Sequence, residues 1–430
     1  MSASCEPRLN VREDLAPIHV EGPGGVPLPA PRCPRYPSLD MWRGVACLSV
    51  VFFHSTLFCH QAMQSSEQPM GLAGLFVALT ARGWAGVPLF FVISGYCISA
   101  TADSARRKSR PARRYFLRRF RRIFPPYWIF TALTALFAIL LAHVGWEQLV
   151  SGYYGLILPV PHPKHLSVGQ WLGNATLTEI WRPQFGGRRA VLILGQAWTL
   201  CYEEQFYAVM GLLLLIAPRR FFYAATLLSI AIVASCPVGF PKSGFFWDGR
   251  WLLFAAGIGV YYALNYAGAR GRAAILTCLL AGALSDVLWR AGVLHPRLHF
   301  SILQLNEAYA AFTFAILILA LHPYDKRICA IRAAQPLFFC GKMCYSLYLV
   351  HYPVTLSISH ALFNAGLTTP AQTVAVTVPA CVASAVAVAW AFHLLVERRF
   401  LNVQGLEPGP APVSRKISAN SREQTTAPAG

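Results

Sequence analysis

Apolar residues dominate long stretches of this chain, and polar or Pro/Gly-rich segments punctuate them at short intervals. A helix needs about 20 apolar residues to cross a bilayer. The pattern predicts ten helices, at roughly 40–60, 84–101, 125–143, 198–217, 221–236, 250–266, 273–290, 305–322, 336–360 and 373–396. The segments near 221 and 250 are the shortest. The fold class expected is an all-α polytopic membrane protein with about ten transmembrane helices. Residues 38–400 form the membrane core. Residues 1–37, rich in Pro and Gly, and residues 401–430, rich in Pro, Ala, Ser and Thr, read as disordered tails. The opening residues lack the basic-then-apolar pattern of a signal peptide, so none is expected.

Composition supports this picture. The chain is 55% hydrophobic and only 13% charged, with mean hydropathy +0.45. Soluble domains carry about 25% charged residues. The formal charge of +19 is large, and its distribution explains it. With both tails inside, 26 of the 37 Lys and Arg residues fall on inner segments and 9 on outer loops. That asymmetry predicts both termini in the cytoplasm. Nucleic-acid binding is a poor rival, because no nucleic-acid-binding motif or aromatic-interleaved basic groove occurs. The 12 cysteines are scattered and form no CxxC pair. They read as small apolar core residues, and neither a metal site nor a disulfide framework is expected.

The candidate chemistry lies where polar groups interrupt apolar runs. Ionisable groups at membrane depth cost about 2.5–3.5 kcal/mol each on insertion scales, so they are rare and usually functional. Arg43 and His54 share the first helix. Their separation turns about 20° past three full turns, so they lie on one face, about 16 Å apart along the axis. The bland alternative has Arg43 snorkelling to the headgroups and His54 bonding a neighbouring helix. Ser94 and Gly95 lie in the second helix, where they suit either a close helix contact or a catalytic role. Arg118, Arg119, Arg121 and Arg122 precede Pro125-Pro126, which fit a helix entry. Arg119 and Arg122 share a face if this stretch is helical. They could be positive-inside signal, contact anionic lipid, or grip phosphates with their planar forks.

Glu203 and Glu204 start the fourth helix, where a helix dipole would favour them in any case. Arg250 and Gly257 in the sixth helix are explained by snorkelling and packing. Tyr345, Tyr348 and Tyr352 stripe one face of the ninth helix, which also carries His351. Taken singly, that stripe is packing and that histidine a satisfied core residue. Depth makes the group more than its parts. His54 lies about 21 Å and His351 about 22 Å along outward-running helices, Ser94 lies about 12–15 Å from the outer end of its helix, and Glu203 lies within the first two turns of its own. All four fall in the outer half of a core about 30 Å thick, with the arginines at the inner rim. Two zones follow, one phosphate-friendly and one capable of acid/base chemistry.

Taken together, these motifs resemble the acyltransferase-3 family of integral-membrane O-acyltransferases. The resemblance covers most of residues 38–400. It rests on Leu-Asp-x-x-Arg-Gly with its Arg43/His54 spacing, and on Phe-Phe-x-x-Ser-Gly at Phe90 to Gly95. Arg-x-x-Arg-x-x-Pro at Arg119 to Pro125, Trp-Thr-Leu-x-x-Glu-x-x-Phe-Tyr at Trp198 to Tyr207, and Tyr-Ser-x-Tyr-x-x-His at Tyr345 to His351 complete it. Any one is weak, and five in order are strong. Tyr202 stands where a small aliphatic residue is usual, and Met41-Trp42 where Gly-Leu is usual. Neither departure removes a polar group.

The resemblance implies transfer of an acyl group, most often acetyl, from cytoplasmic acyl-CoA to a carbohydrate hydroxyl, on a surface polysaccharide, exopolysaccharide or glycolipid. It implies a multi-pass protein of a bacterial inner membrane, with acyl-CoA as co-substrate and no tightly bound cofactor. His54 is then the general base or a transient acyl carrier. Glu203 is its catalytic companion, and Arg43, Arg119 and Arg122 hold the CoA phosphates. Ser94, Tyr345 and His351 support the site or bind substrate. Some family members carry a further esterase-like domain, so in this chain the core or a partner is expected to complete any relay. The rival class is a transporter or flippase of a sugar or lipid-linked precursor, which midplane ionisable groups also suit. No pair of interrupted helices in matching halves favours it. A membrane sensor without catalysis needs only that the polar groups are structural. The outer loop 144–197, with Trp171, Trp181, Arg182 and Arg189, could contact sugars or pack onto the membrane.

Overall fold

The computed structural model describes residues 28–33, 36–63, 71–150, 159–185, 189–235, 249–293 and 305–401. The tails 1–27 and 402–430 lie outside the described residues. All ten predicted segments are helical, and no strand occurs among the described residues. We label them α1 (Leu39–Met63), α2 (Gly86–Ala105), α3 (Pro111–His143), α4 (Ala197–Ile216) and α5 (Phe221–Ser235). The rest are α6 (Arg250–Asn265), α7 (Ala269–Arg290), α8 (Leu305–Leu321), α9 (Cys344–Asn364) and α10 (Pro370–Leu401, with π-helical turns at Thr373–Thr377 and His393–Glu397).

Among the described residues, six helical runs are long and apolar enough to cross a membrane. They are Leu39–Phe58, Gly71–Ala105, Pro111–His143, Ala197–Ile216, Glu307–Ala330 and Pro370–Leu401. The protein is therefore a multi-pass membrane protein. Three of the other helices fall short for physical reasons. With 15 and 16 residues, α5 and α6 are short of the usual span. The helix α9 is long enough but diluted by serine, threonine and histidine.

Lipid-facing and core-facing stripes are visible along α3. Leu133, Leu136, Phe137 and Leu140 are exposed at helical spacing, whereas Phe130, Thr134, Ala135, Ala138 and Leu141 are buried. In lipid, helices associate by close packing rather than by escape from water. Glycines supply that closeness at two crossings. A methyl group on Gly95 of α2 would overlap the carbonyl oxygen of Phe254 on α6, and one on Gly257 of α6 would overlap that of Val92. Gly44 of α1 meets Leu337 in the same way, and Gly341 meets Asp40, across the short helix Gln335–Lys342. Phe254 also stacks on Phe206 at 4.2 Å and tilts against Phe91 at 4.6 Å.

Three expectations change. The third helix does not begin at Pro125. It begins at Pro111, and Pro125-Pro126 lie inside it. The ring fixes φ near its helical value, so the cost is the missing N–H groups. The Tyr345 hydroxyl donates to the carbonyl of Ile123 at 2.8 Å, just before that gap in the ladder. The ninth segment is broken at Met343, which ends Gln335–Lys342 before α9 starts. Finally, the end of the segment expected as a disordered tail is docked. Cys33 N donates to Asn265 Oδ1 at 2.8 Å, Arg32 to Ala267 O at 3.0 Å and Ser38 N to Asp325 Oδ1 at 3.0 Å. The Tyr36 hydroxyl donates to Ile318 O at 2.6 Å, and burial with Asp325 nearby pushes that phenol's pKa up.

Candidate active site

A cavity of about 680 Å³ opens between α1, α2, α3, α4 and α9. Arg43 and His54 line it from α1, Ser94 from α2, Arg119 and Arg122 from α3. Glu203 lines it from α4, and Tyr345 and His351 from α9. All eight residues that the resemblance assigns to the site line this one space.

Within it, two pairs touch. His54 Nδ1 lies 3.1 Å from His351 Nε2. His351 is buried, and its Nδ1 lies 2.8 Å from the carbonyl oxygen of Tyr348 and 3.2 Å from that of Leu347. A carbonyl only accepts, so Nδ1 of His351 carries the proton. With both rings neutral, His351 Nε2 accepts from the Nδ1–H of His54. The lone pair of His54 is thereby left on Nε2, which has no hydrogen-bond partner among the described residues. Tyr352 meets the His54 ring edge-on at 5.1 Å, and Phe58 stacks on it at 5.6 Å.

The second pair is Ser94 and Glu203. Ser94 donates to Glu203 Oε1 at 2.5 Å, and the Tyr207 hydroxyl donates to the same oxygen. Tyr207 lies one turn beyond Glu203 and lines the cavity too. Sequence reasoning missed it, although i,i+4 spacing places it on the Glu203 face. Glu204 does not line the cavity, and its Oε1 is buried without a partner among the described residues.

The cationic groups differ in how far they are engaged. Arg43 pairs with Asp40 at 2.5 Å and donates to Cys97 Sγ at 2.9 Å. Arg119 donates to Thr101 Oγ1 at 2.7 Å and sits 5.2 Å from the centre of the Tyr207 ring. Its Nε is buried without a partner among the described residues. Arg122 is exposed to the cavity and forms no ion pair among the described residues. Lys342, another residue not singled out for the site, lines the same space. Glu397 also lines it, engaged by Ser346 Oγ at 2.5 Å and His393 Nδ1 at 2.8 Å.

Aromatic and amide groups complete the wall. Tyr345 and Tyr348 face the cavity with nearly parallel rings 6.4 Å apart, whereas Tyr352 packs behind His54. The Tyr348 hydroxyl donates to Gln196 O at 2.7 Å, and Gln196 Nε2 donates to Leu349 O at 2.6 Å. These bonds tie the start of α4 to α9. In the outer loop, Arg182 is occupied by Glu179, at 2.9 and 2.7 Å, which strengthens its hold on the proton. Glu179 is fully buried and also accepts from Val191 N at 3.1 Å, so this pair fastens the loop. No group of three or more potential metal ligands occurs among the described residues.

Five motifs on five helices converge on one cavity within an integral-membrane bundle. Residues 36–394 match the family described as the acyltransferase domain, and the chain belongs to that acyltransferase-3 family. It is 23% identical over 359 residues to the O-acetyltransferase OatA of Staphylococcus aureus strain NCTC 8325, across 76% of this chain and 52% of the relative. The OatA proteins of strains COL and MRSA252 give the same values. The chain spans about half the length of the curated relatives it matches. No solved structure matches it.

Proposed function

We propose that this protein is a membrane O-acyltransferase that moves an acyl group, acetyl foremost, from cytoplasmic acyl-CoA to a carbohydrate hydroxyl. The acceptor class is a surface polysaccharide, exopolysaccharide or glycolipid. The observation that carries this reading is the bare Nε2 of His54, set by His351, in a cavity that also holds Arg119, Arg122 and Lys342. Family membership and the OatA relatives support the same chemistry.

In this reading Arg43, Arg119 and Arg122 take the phosphates of the donor, and the pantetheine arm runs along α1 toward His54. That is about 16 Å on the helical rise. His54 Nε2 accepts the proton of the acceptor hydroxyl as its oxygen attacks the thioester carbonyl. The carbon–sulfur bond then breaks, and the thiolate takes the proton from His54 to leave as free CoA. In the relay variant, the same lone pair attacks first, the carbon–sulfur bond breaks to release CoA thiolate, and the acyl-imidazole then passes its acyl group to the acceptor oxygen while the hydroxyl proton goes to the thiolate. Glu203, held by Ser94 and Tyr207, binds or orients the acceptor hydroxyl.

The topology that fits this route has all ten helices crossing a bacterial inner membrane and both termini in the cytoplasm. The 26:9 division of basic residues supports it. The experiment is transfer of label from [acetyl]-CoA to saccharide in membranes holding the protein or its His54→Ala variant. Label on saccharide with the native protein and none with the variant, at equal protein level, is expected. Undiminished transfer by the variant removes His54 from the chemistry, and sugar flux without label points to transport instead.

A further inference from the structure

A second cavity, of about 720 Å³, lies apart from the active site between α5, α6, α7 and α8. Its wall is almost wholly apolar, including Phe222 and Val233 of α5, Gly259 of α6, Gly271 and Ser285 of α7, and Phe312 of α8. From Phe222 to Val233 the helical rise covers about 16 Å, and from Gly271 to Ser285 about 21 Å. One leaflet of hydrocarbon is about 15 Å deep, half of the full core. The cavity therefore has the length of one lipid chain, and Phe222 and Gly271 mark the end nearer one membrane face.

That face is basic. Arg219 and Arg220 immediately precede α5, and Arg270 and Arg272 flank Gly271 at the start of α7. The two starts are neighbours: the Phe222 ring lies 5.4 Å from that of Tyr262 and 5.6 Å from that of Tyr266. Arg220 and Arg270 are exposed and form no ion pair among the described residues. The buried carboxylate at this end, Asp103, is already taken by Arg106 at 2.6 Å, Arg107 at 3.3 Å and the hydroxyls of Tyr261 and Tyr266. An apolar slot one leaflet deep beneath the exposed guanidinium groups of Arg220 and Arg270 is complementary to an amphiphile with a negative head and a long tail.

We infer that the α5–α8 groove is a binding site for an anionic glycerophospholipid of the arginine-side leaflet. One acyl chain lies in the groove, and the phosphate meets Arg220 and Arg270. A zwitterionic lipid offers the same chain without the net charge. A free phosphate offers the charge without the chain.

The test is native mass spectrometry of the full chain released from equimolar phosphatidylglycerol and phosphatidylcholine. Native protein retains phosphatidylglycerol preferentially. Arg220→Ala with Arg270→Ala lowers the preference by about fivefold per arginine, the worth of one basic residue near an anionic surface. Gly259→Leu, at a position with only an ordinary contact to Ile275, fills the slot and removes retained lipid of both kinds. Should that variant not insert, Cys278→Trp tests the same volume from α7. Soluble glycerol 3-phosphate does not compete. Equal retention of the two lipids by native protein, or a preference that survives the paired arginine change, overturns the inference and leaves these arginines as topology signal. Competition by glycerol 3-phosphate overturns it in favour of a phosphate site.

Discussion

His54 Nδ1 and His351 Nε2 stand 3.1 Å apart, and the backbone carbonyls beneath His351 decide which of them holds the proton. A positioned base contributes about 10²–10⁴-fold to rate, and it works only in the correct tautomer. His351→Ala removes the acceptor that orients His54. We expect kcat to fall by about 10²-fold at an unchanged KM for acyl-CoA. His351→Gln, which can present a carbonyl oxygen to the Nδ1–H, should recover part of the loss. Steady-state assays with both variants check this, and a KM effect alone would mean that His351 binds donor instead.

The donor end makes a separate forecast. A hydrogen bond to a charged group is worth about 1.5–3 kcal/mol, so Arg119→Ala or Arg122→Ala should raise KM for acetyl-CoA at least tenfold. Acetyl-pantetheine lacks the nucleotide phosphates and should be used equally well by native and variant proteins. Lysine at either position should restore only part of the affinity, because it cannot present a planar fork. An equal penalty on both donors would contradict phosphate binding.

The adjacent carboxylates separate cleanly. Glu203 faces the cavity and holds two hydroxyls, whereas Glu204 does not line it. Glu203→Gln should lower transfer about tenfold or more, the scale of one charge-assisted hydrogen bond. Glu204→Gln should leave transfer near the native rate. Parallel assays of the two variants at matched protein levels suffice.

Two glycines on α6 test the packing. A side chain on Gly257 collides with the carbonyl of Val92, while one on Gly259 meets only Ile275 at ordinary distance. Overpacking costs about 1–3 kcal/mol. Gly257→Ala should lower the melting temperature in detergent, and Gly259→Ala should leave it nearly unchanged. Similar melting of the two variants would show that the crossing relaxes freely.

Much of the architecture was legible because a bilayer leaves few solutions. Long apolar runs must be helices, and polar or ionisable residues inside them stand out, which is how Arg43, His54, Ser94, Glu203 and His351 came into view. The contact of His54 with His351 follows from their similar depths, but the tautomer does not. It depends on two carbonyls one turn below His351 on its own helix. The Pro125-Pro126 pair misled because proline usually marks a helix start, whereas a membrane helix can carry it once neighbours serve the freed backbone. Lys342 was hidden because it closes a short helix that the hydrophobic pattern merges with α9. Tyr207 lay in view within a recognised motif and needed only the one-turn rule. The Glu179–Arg182 clasp was illegible, since a loop has no periodicity to show which charges it folds inward.

The glycine crossings also bear on what the cavity can accept. Gly44 and Gly341 press α1 against one neighbour, and Gly95 and Gly257 press α2 against another, so the helices bearing His54 and Ser94 are braced backbone to backbone. At the α2–α6 seam the backbones meet directly, and Phe91 and Phe254 pack beside the contact. In the proposed transfer, walls so braced resist widening at α1 and α2, and a longer acyl chain must find its room beside α3, α4 or α9.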